Sequence, residues 1–439
     1  MRRPLALASA TWLAPIGDNH AGASLCRGAA RAFSDRAGTK KAKRLSRSKD
    51  GIFALGETMV RGDVREIVSS KLRFRPPRKV WVLEESPPQE ALTRRFSESV
   101  GALWHGDFTE GRKVLSSVSR YFKRRLSPNM KKAVTPAEDF RLLRKFRAEQ
   151  ATRTSLLLLD ISPGFTLRGE GAPDDLSEAL SFALGPEFED RSFLVPLTEV
   201  LGMVGALNWF KTGIEVPALE VPEFRLRPHF SVFPPTRQDY VSLLARVSLP
   251  IQRDHVIEVG SGSGVLTALL LQRCGVDRLV ATDTNLRAVE NTRATLASLG
   301  LEDRAQVIAT SQLPNAEPAD LIVCNPPWMP GRPSSALESA IVGDTMIHDF
   351  IKAASASVRP DSGRILFFMS NLAELIGIQP KGYLDDLFYR NGLEVVETVT
   401  TEPKHEDHQV PSIAAARKLK LADLRASETV SLYSLRRRL

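Results

Sequence analysis

Residues 255–274 read HVIEVGSGSGVLTALLLQRC, and this stretch decides the fold of the C-terminal half of the chain. Its first residues are mostly apolar and predict a short buried strand. Three glycines follow at alternate positions, Gly260, Gly262 and Gly264, and a leucine-rich run of helical length comes after them. Because glycine has no Cβ, such a turn lets the backbone bend sharply and approach a ligand. The stretch therefore predicts the first strand-turn-helix unit of a parallel sheet, with a ligand loop in its turn.

The alternation of strands and helices continues beyond this unit. Further strands are predicted in RLVATD (278–283), AQVIAT (305–310), ADLIVCN (319–325) and GRILFFMS (363–370). Two more, LEVVETVTT (393–401) and ETVSLYSL (428–435), are predicted as antiparallel neighbours at one edge. We therefore predict an α/β domain with a mostly parallel sheet over residues 226–439.

Residues 60–225 show a different pattern. Apolar side chains recur at spacings of three and four in TRRFSESVGALWHGDF (93–108) and GRKVLSSVSRYFKRRL (111–126), as in amphipathic helices. We therefore predict a mainly helical N-terminal domain over residues 60–225, with a role in substrate recognition.

The composition is that of a globular protein with more than one domain. Of its 439 residues 43% are hydrophobic, and no apolar run approaches the roughly 18 residues that span a bilayer. The three cysteines, Cys26, Cys274 and Cys324, form no pair motif. His405 and His408 lack convincing metal-ligand spacing and are assigned to a solvated loop. We therefore predict neither a metal site nor a membrane segment.

Positive charge is concentrated in the N-terminal third. Residues 1–150 carry 32 Lys and Arg against 15 Asp and Glu. Residues 1–50 are rich in Ala and Ser, with 11 basic and 3 acidic side chains, and Arg31 precedes a Phe33–Ser34 step. This pattern predicts a mitochondrial transit peptide and a matrix location. A plastid peptide is the weaker organelle alternative, and a disordered basic tail that binds nucleic acid is the other interpretation.

Basic residues also stand beside aromatic ones in YFKRRLSPNMKK (121–132) and FRLLRKFRAEQ (140–150). Such a surface could follow the phosphates of a nucleic acid. Solvated helix faces with Phe140 and Phe146 pointing inward are the commoner explanation, and we favour it.

The glycine loop and two carboxylates indicate the cofactor. A dinucleotide loop would have glycine where this chain has Val265. Glu258 directly precedes the loop, where it would repel an anionic cofactor and suit a cationic amino-acid group. Asp283 ends the next strand and can accept the hydroxyls of a ribose, although a helix cap would also fit there. An adenosyl group joined to an amino acid satisfies both carboxylates, which predicts S-adenosylmethionine.

The strand at 319–325 leads into a second motif, Asn325-Pro326-Pro327-Trp328. The prolines stop the strand and stiffen the backbone. The side-chain oxygen of Asn325 and the carbonyl of Pro326 could accept both N–H bonds of a planar amide or aromatic amine, while Trp328 stacks on it. Each residue alone has a structural explanation. Together at a strand end they predict a site that orients a nucleophilic nitrogen.

These motifs resemble those of class I S-adenosylmethionine-dependent methyltransferases of the small-domain group. The resemblance lies in EVGSGSG (258–264), ATDTNLRAVENTRATL (281–296) and NPPW (325–328). That group includes bacterial release-factor glutamine methyltransferases and small-subunit rRNA guanine methyltransferases. GALWHGDFTEGRKVLSSVSRYFKRR (101–125), HFSVFPPTRQDYVSLL (229–244) and MPGRPSSALESAI (329–341) are also similar to bacterial methyltransferase-like proteins of unassigned substrate.

The resemblance implies a Rossmann-like seven-stranded sheet, mostly parallel with the last strand antiparallel. It implies catalytic roles for Asn325, Pro326, Pro327 and Trp328. It implies cofactor contacts from Glu258, Gly260, Ser261, Gly262, Gly264, Asp283, Ser311 and Phe233, with Arg237 as a further candidate. Ser311 stands where the family usually has an acidic residue for the adenine amine. Substrate contacts are expected from Arg332, Ser335 and Glu338, although a plain loop and a helix cap would also fit these residues.

The leading hypothesis is an N-methyltransferase that acts on a macromolecule. An RNA base and a protein glutamine present the same planar N–H₂ group, so the motif leaves the acceptor open. A non-catalytic binding or assembly protein on the same scaffold is the alternative from another class. A dehydrogenase is the third possibility, and Val265 argues against it.

Overall fold

The computed structural model describes residues 46–126, 133–314, 317–343, 345–402, 424 and 427–438. The predicted transit peptide up to residue 45, with Cys26 and the Phe33–Ser34 step, lies outside the described residues, as do His405 and His408. Strand β1 (Ser46–Arg47) pairs with β2 (Ala54–Val60). Residues 46–50, which the prediction assigned to the tail, therefore belong to the folded chain.

Two predicted absences concern the part of the chain that the structure describes. Within it, no helix is long and apolar enough to cross a membrane. In the same residues, no group of His, Cys, Asp and Glu side chains could hold a metal ion.

A mixed sheet forms the centre of the N-terminal part. After β2 its strands are β3 (Asp63–Ser69), β4 (Lys79–Leu83), β5 (Gly101–Trp104), β6 (Leu157–Ser162), β7 (Thr166–Leu167) and β8 (Phe193–Pro196). The order is β1-β2-β3-β8-β6-β5-β4, with β7 paired to β6 beside this path. Strands β4, β5 and β6 are parallel, and β8 is antiparallel to β6.

The helices of this part are α1 (Gln89–Ser97), α2 (Phe108–Leu126), α3 (Pro136–Thr154), α4 (Leu176–Leu184) and α5 (Leu197–Thr212). Helix α3 begins at a capping box, in which Thr135 accepts the Glu138 N–H and the Glu138 side chain accepts the Thr135 N–H. The prediction of a mainly helical domain was therefore incomplete, because it missed the sheet. All four residues of β5 are buried, so this strand shows no polar alternation by which to recognise it.

A short hairpin and a helix connect the two halves of the chain. Strands β9 (Ile214–Glu215) and β10 (Arg225–Leu226) pair antiparallel. Helix α6 (Asp239–Leu244) follows.

The second sheet confirms the predicted topology. Its strands are β11 (Val256–Val259), β12 (Leu279–Asp283), β13 (Ala305–Ala309), β14 (Leu321–Cys324), β17 (Arg364–Ser370), β18 (Leu393–Thr401) and β19 (Val430–Arg437), with a separate short pair formed by β15 (Met329–Pro330) and β16 (Val342–Gly343). The order is β13-β12-β11-β14-β17-β19-β18. The first five strands are parallel, and β19 is antiparallel to both of its neighbours.

Helices cover both faces of this sheet. They are α7 (Val265–Arg273), α8 (Leu286–Ala297), α9 (Met346–Ser357), α10 (Leu372–Leu375) and α11 (Tyr383–Arg390). Strand β11 contributes side chains to the hydrophobic core on each face of the sheet. Val256 packs with the α7 and α8 side chains, and Ile257 packs with those of α9 and α11. A central parallel strand buried on both faces explains the continuous apolar run in the sequence.

The two sheets are joined by polar and aromatic contacts. Arg287 Nε on α8 donates to Asp50 Oδ2 at 2.7 Å. The rings of Phe53 and Phe230 stack with centroids 5.7 Å apart. These contacts fasten the start of the folded chain to the helix that follows β12.

Candidate active site at the carboxyl edge of the C-terminal sheet

The register of three adjacent strands brings the predicted motifs together. Val259 on β11 is paired with Thr282 on β12 and with Cys324 on β14. Asp283 and Asn325 follow these partners directly, and the glycine loop follows Val259. Adjacent strands lie about 4.8 Å apart. The glycine turn, Asp283 and the Asn-Pro-Pro-Trp motif therefore open onto the same edge of the sheet.

The backbone of the glycine loop has positive φ angles, which glycine adopts more readily than other residues. Gly260, Gly262 and Gly264 have φ values of +79°, +57° and +80°. A Cβ on Gly264 would lie 3.0 Å from the Cα of Thr292, whereas Cβ atoms on the other two would meet nothing within 4 Å. Gly264 thus allows α7 and α8 to approach, while the open space at the others leaves room for a ligand. Ser261 is buried and accepts a hydrogen bond from the Thr292 hydroxyl at 2.9 Å, so it supports the loop.

Asp283 is fixed beside this loop by backbone donors. Its Oδ2 accepts the Gly262 N–H at 3.0 Å, and its Oδ1 accepts the Asn285 N–H at 2.8 Å. Burial raises the pKa of the Asp283 carboxyl, although these hydrogen bonds oppose the increase. The alternative role as a helix cap belongs to Asn285, which accepts the Arg287 N–H. The carboxylate therefore faces the loop.

Glu258 is almost fully buried, with 1% of its surface exposed. Its Oε2 accepts the hydroxyl of Thr267. Burial raises the pKa of Glu258 to about 8, and the nearby charge of Asp283 adds to the increase. In the described part of the chain, Glu258 has no ion-pair partner. A buried carboxyl of this kind is a natural partner for a cationic ligand group.

The Asn-Pro-Pro-Trp motif forms a rigid corner. Pro326 and Pro327 are buried, while Asn325 and Trp328 are half-buried. The indole Nε1 of Trp328 donates to Asn325 Oδ1 at 2.9 Å. An amide oxygen has two lone pairs, so this bond leaves one lone pair that can accept an N–H of the group to be methylated. The Asn325 side chain is thereby held in one orientation.

Trp328 is itself held by two residues that the sequence analysis did not place there. The Arg237 guanidinium lies 5.4 Å from the Trp328 ring centroid, and Tyr240 makes an edge contact with centroids 6.4 Å apart. Arg237 pairs with Asp239 at 2.5 Å and with the buried Glu428 at 3.4 Å. Arg237 therefore covers the motif rather than the glycine loop. No local signal in the sequence linked Arg237 to Glu428, 191 positions away.

The other predicted cofactor residues lie near the same edge. Phe233 is half-buried in a segment that is tied to α8, because Asn285 Nδ2 donates to the Ser231 carbonyl at 2.9 Å. Ser311 is exposed two residues beyond β13, and Thr310 before it donates its N–H to the Asp283 carbonyl at 3.0 Å. Their contacts with a cofactor remain predictions.

The loop after the motif is a contact between the two halves of the chain. Glu338 is buried and accepts the N–H and the hydroxyl of Ser334, both at 2.6 Å. Its other oxygen faces Arg144 of α3 at 3.4 Å, and Arg144 has no exposed surface. Glu338 was expected to contact substrate, and its burial in this junction contradicts that role. Ser335 accepts the Glu338 N–H at 3.2 Å, whereas Arg332 is exposed.

Comparison with known proteins finds methyltransferases that are similar to the part of the chain that carries this site. A family model described as "Methyltransferase small domain" matches residues 223–373. A release factor glutamine methyltransferase of Bradyrhizobium diazoefficiens is 38% identical over 88 residues, 20% of this chain and 30% of that protein. Ribosomal RNA large subunit methyltransferase G of Shewanella amazonensis is 32% identical over 163 residues, 32% of this chain and 43% of that protein.

A third relative is ribosomal RNA small subunit methyltransferase C of an Enterobacter species, 38% identical over 99 residues, 22% of this chain and 28% of that protein. The chain thus spans less than half the length of each of these relatives. A solved S-adenosylmethionine-dependent methyltransferase of Geobacter sulfurreducens, in complex with S-adenosylhomocysteine, has 20% identity and a TM-score of 0.30, covering 45% of this chain and 90% of that one. A similarity of this size carries no argument of its own.

The C-terminal sheet and its edge therefore define a methyltransferase domain of the S-adenosylmethionine-dependent class. Within that class, residues 223–373 match the methyltransferase small-domain family model.

Proposed function

We propose that the protein is an S-adenosylmethionine-dependent N-methyltransferase that acts on a planar amide or aromatic amine of a macromolecule. One observation carries this proposal. The pairing of Val259 with Thr282 and Cys324 places the glycine loop, Asp283 and Asn325 side by side at one sheet edge. A cofactor loop and an acceptor motif are then within reach of one another, as methyl transfer requires.

The residues present fit the cofactor. The open space at Gly260 and Gly262 would admit the amino-acid part, and the buried Glu258 would oppose its ammonium group. Asp283 would accept the ribose hydroxyls. When bound, S-adenosylmethionine supplies a methyl group on a sulfonium, which is an activated leaving group.

The acceptor side of the reaction depends on the chain's own residues. Asn325 Oδ1 keeps one lone pair after accepting the Trp328 N–H, and the Pro326 carbonyl supplies another acceptor. These two oxygens can take both N–H bonds of a planar amine and direct its lone pair. They also stabilise the positive charge that develops on nitrogen. Orientation of this kind can lower a barrier by roughly 7 kcal/mol or more.

The relatives support a macromolecular acceptor without choosing between its kinds. Their names refer to a release factor glutamine in one case and to ribosomal RNA in the others. Both acceptor groups have the geometry that Asn325 and Pro326 would bind.

Transfer of a labelled methyl group into organelle extract tests the proposal, with the RNA and protein fractions counted separately. We expect label in one fraction with the wild type and at least a hundredfold less with Asn325→Ala. Asn208→Ala, at an exposed asparagine of α5, is the matched control. If the wild type binds S-adenosylmethionine and labels neither fraction, the non-catalytic alternative is the better account.

We also propose a location in the mitochondrial matrix. The support is the Ala-rich, basic composition of residues 1–50. Fusion of residues 1–45 to a fluorescent protein tests this location. Uniform cytosolic fluorescence would contradict it, and plastid fluorescence would support the other organelle.

A further inference from the structure

We propose that the exposed faces of α2 and α3 form an RNA-binding surface that carries the acceptor strand to the candidate active site. This proposal rests on the proposed function and chooses RNA as its acceptor. We define the α2–α3 basic surface as six exposed residues: Arg112, Arg120, Lys123, Arg125, Arg141 and Lys145.

The first support is charge. Helices α2 and α3 together carry eleven Lys and Arg against four Asp and Glu. None of the six residues of the surface forms an ion pair with another described residue. Arg141 lies within electrostatic reach of Glu138, and the other five charges can meet phosphates, each of which carries one negative charge.

The second support is the burial of the neighbouring aromatic residues. Phe122 and Phe140 are 3% and 2% exposed and pack in the protein interior. Phe140 thus faces inward as expected, whereas Phe146 is only half-buried. The six residues of the α2–α3 basic surface remain outside, while Arg144 is buried. Gln150 on α3 donates to the hydroxyl of Ser119 on α2 at 2.9 Å, so the two helices are in contact.

The third support is position relative to the site. Phe140 packs with Met329 and Val342, which belong to the short strand pair after Trp328. Arg141 and Lys145 follow Phe140 and Arg144 by one residue each, which is about 100° around the helix. They are therefore the exposed neighbours of the face that contacts the loop after the motif. Arg141 and Lys145 therefore lie roughly one helix diameter, about 10 Å, from that loop, and a strand bound to them is within reach of it.

The extent of the surface favours RNA over an acidic protein segment. Each helix has 19 residues and is therefore about 28 Å long. On α2 the basic residues extend from Arg112 to Arg125, roughly 20 Å, whereas on α3 Arg141 and Lys145 lie about one turn apart. A repeating phosphate backbone can meet all of them, and its unpaired bases remain free to enter a nearby site.

Paired double variants of the full chain test the surface. Arg120→Gln with Lys123→Gln changes α2, and Arg141→Gln with Lys145→Gln changes α3. Arg278→Gln with Lys352→Gln is the matched control, because it removes the same charge from exposed positions of the other domain. The probe is a labelled single-stranded RNA of mixed sequence, titrated over a range of salt concentrations.

We expect a plot of log affinity against log salt to be steep for the wild type. Each phosphate contact contributes a slope of about 0.7, so each helix variant should lower the slope by about 1.4. Its RNA affinity should fall at least fivefold at low salt, and its affinity for S-adenosylmethionine should stay unchanged. The control pair should keep the wild-type slope and an affinity within twofold.

Equal slopes in the helix variants and the control would overturn the surface. The surface would also be overturned if the labelled methyl group entered the protein fraction and the protein showed no salt-dependent RNA binding. If the wild type labels RNA and the helix variants label it equally well, the surface is wrong and the proposed function stands. If the variants lose RNA binding while the wild type labels neither fraction, the surface stands and the proposed function fails.

Discussion

The indole N–H of Trp328 is hydrogen-bonded to the side-chain oxygen of Asn325 at 2.9 Å. Tryptophan has a donor and no acceptor, so this contact identifies the Asn325 atom as the oxygen. The motif therefore positions its own acceptor atom. Arg237 and Tyr240, in contact with the ring, hold Trp328 in turn.

Replacing Trp328 with Phe should lower kcat by about tenfold to a hundredfold and leave cofactor affinity unchanged. Phe retains an aromatic face but loses the N–H donor, so the Asn325 amide can rotate away from the acceptor. Single-turnover methyl transfer and calorimetric titration measure the two quantities. Trp209→Phe, at a partly exposed tryptophan in α5, is the control. A kcat equal to that of the wild type would show that the hydrogen bond does not position the amide.

Replacing Asp283 with Asn should weaken S-adenosylmethionine binding by about tenfold to a hundredfold. The substitution removes a charged acceptor of the ribose hydroxyls, worth about 1.5–3 kcal/mol. It also replaces one of the two carboxylate oxygens, which accept the N–H groups of Gly262 and Asn285, with an NH₂ group that cannot accept a hydrogen bond. Isothermal titration checks this, with the exposed Asp361→Asn as control. Intact binding in the Asp283 variant would remove the ribose role.

Binding of S-adenosylmethionine should strengthen as pH rises from about 6 toward 8. Burial raises the pKa of Glu258 to about 8, so the free protein holds this carboxyl protonated over that range. A bound ammonium favours the ionised form, and each binding event then releases a proton to the buffer. Titrations in buffers of different ionisation enthalpy count this proton. A Glu258→Gln variant that keeps the same pH dependence would contradict the assignment.

The same carboxyl should make the cofactor-free protein less stable as pH rises. Its folded pKa lies above the unfolded value, so the folded state holds the extra proton between about pH 4.5 and 8. The free energy of unfolding from this group therefore falls with increasing pH across that window. Urea unfolding of wild type and Glu258→Gln at several pH values should show the variant gaining relative stability toward pH 8. Parallel curves would refute the raised pKa.

Replacing Arg144 with Met should destabilise the protein by about 3–5 kcal/mol. The variant leaves the Glu338 carboxylate buried without its cationic partner. Adding Glu338→Gln should recover much of this loss, because a neutral amide is far less costly to bury. Urea unfolding of the single and double variants measures the coupling. Additive losses would show that the two side chains do not act as a pair.

The C-terminal sheet was predictable because its strands follow one simple pattern. Buried parallel strands such as Val256–Val259 read as short apolar runs, and the glycines mark where the first one ends. The antiparallel pairing of Leu393–Thr401 with Val430–Arg437 was predicted as well. The convergence of the glycine loop and Asn325 follows from the strand order that the family resemblance implied.

The N-terminal sheet could not be recognised in the same way. Gly101–Trp104 has only four residues, all buried, and stands within a run of apolar residues at helical spacing. The sequence also gave no sign that Arg144 pairs with Glu338, because 194 positions separate them. Contacts between residues so far apart in the sequence depend on how the two sheets pack. The spacing of residues within a short segment does not contain this information. The role expected for Glu338 was therefore wrong.

Two contacts decide whether the C-terminal domain can be separated from the N-terminal part. Arg144 pairs with Glu338, and Phe140 packs with Met329 and Val342. Residues 226–439 cut out alone would lose the cation opposite Glu338 and expose the apolar side chains that α3 covers. The loop after the Asn-Pro-Pro-Trp motif, at the candidate site, thus depends on residues of both halves. Transplanting the C-terminal sheet onto another recognition domain would require that domain to supply a helix with an arginine and an aromatic residue at the same two places.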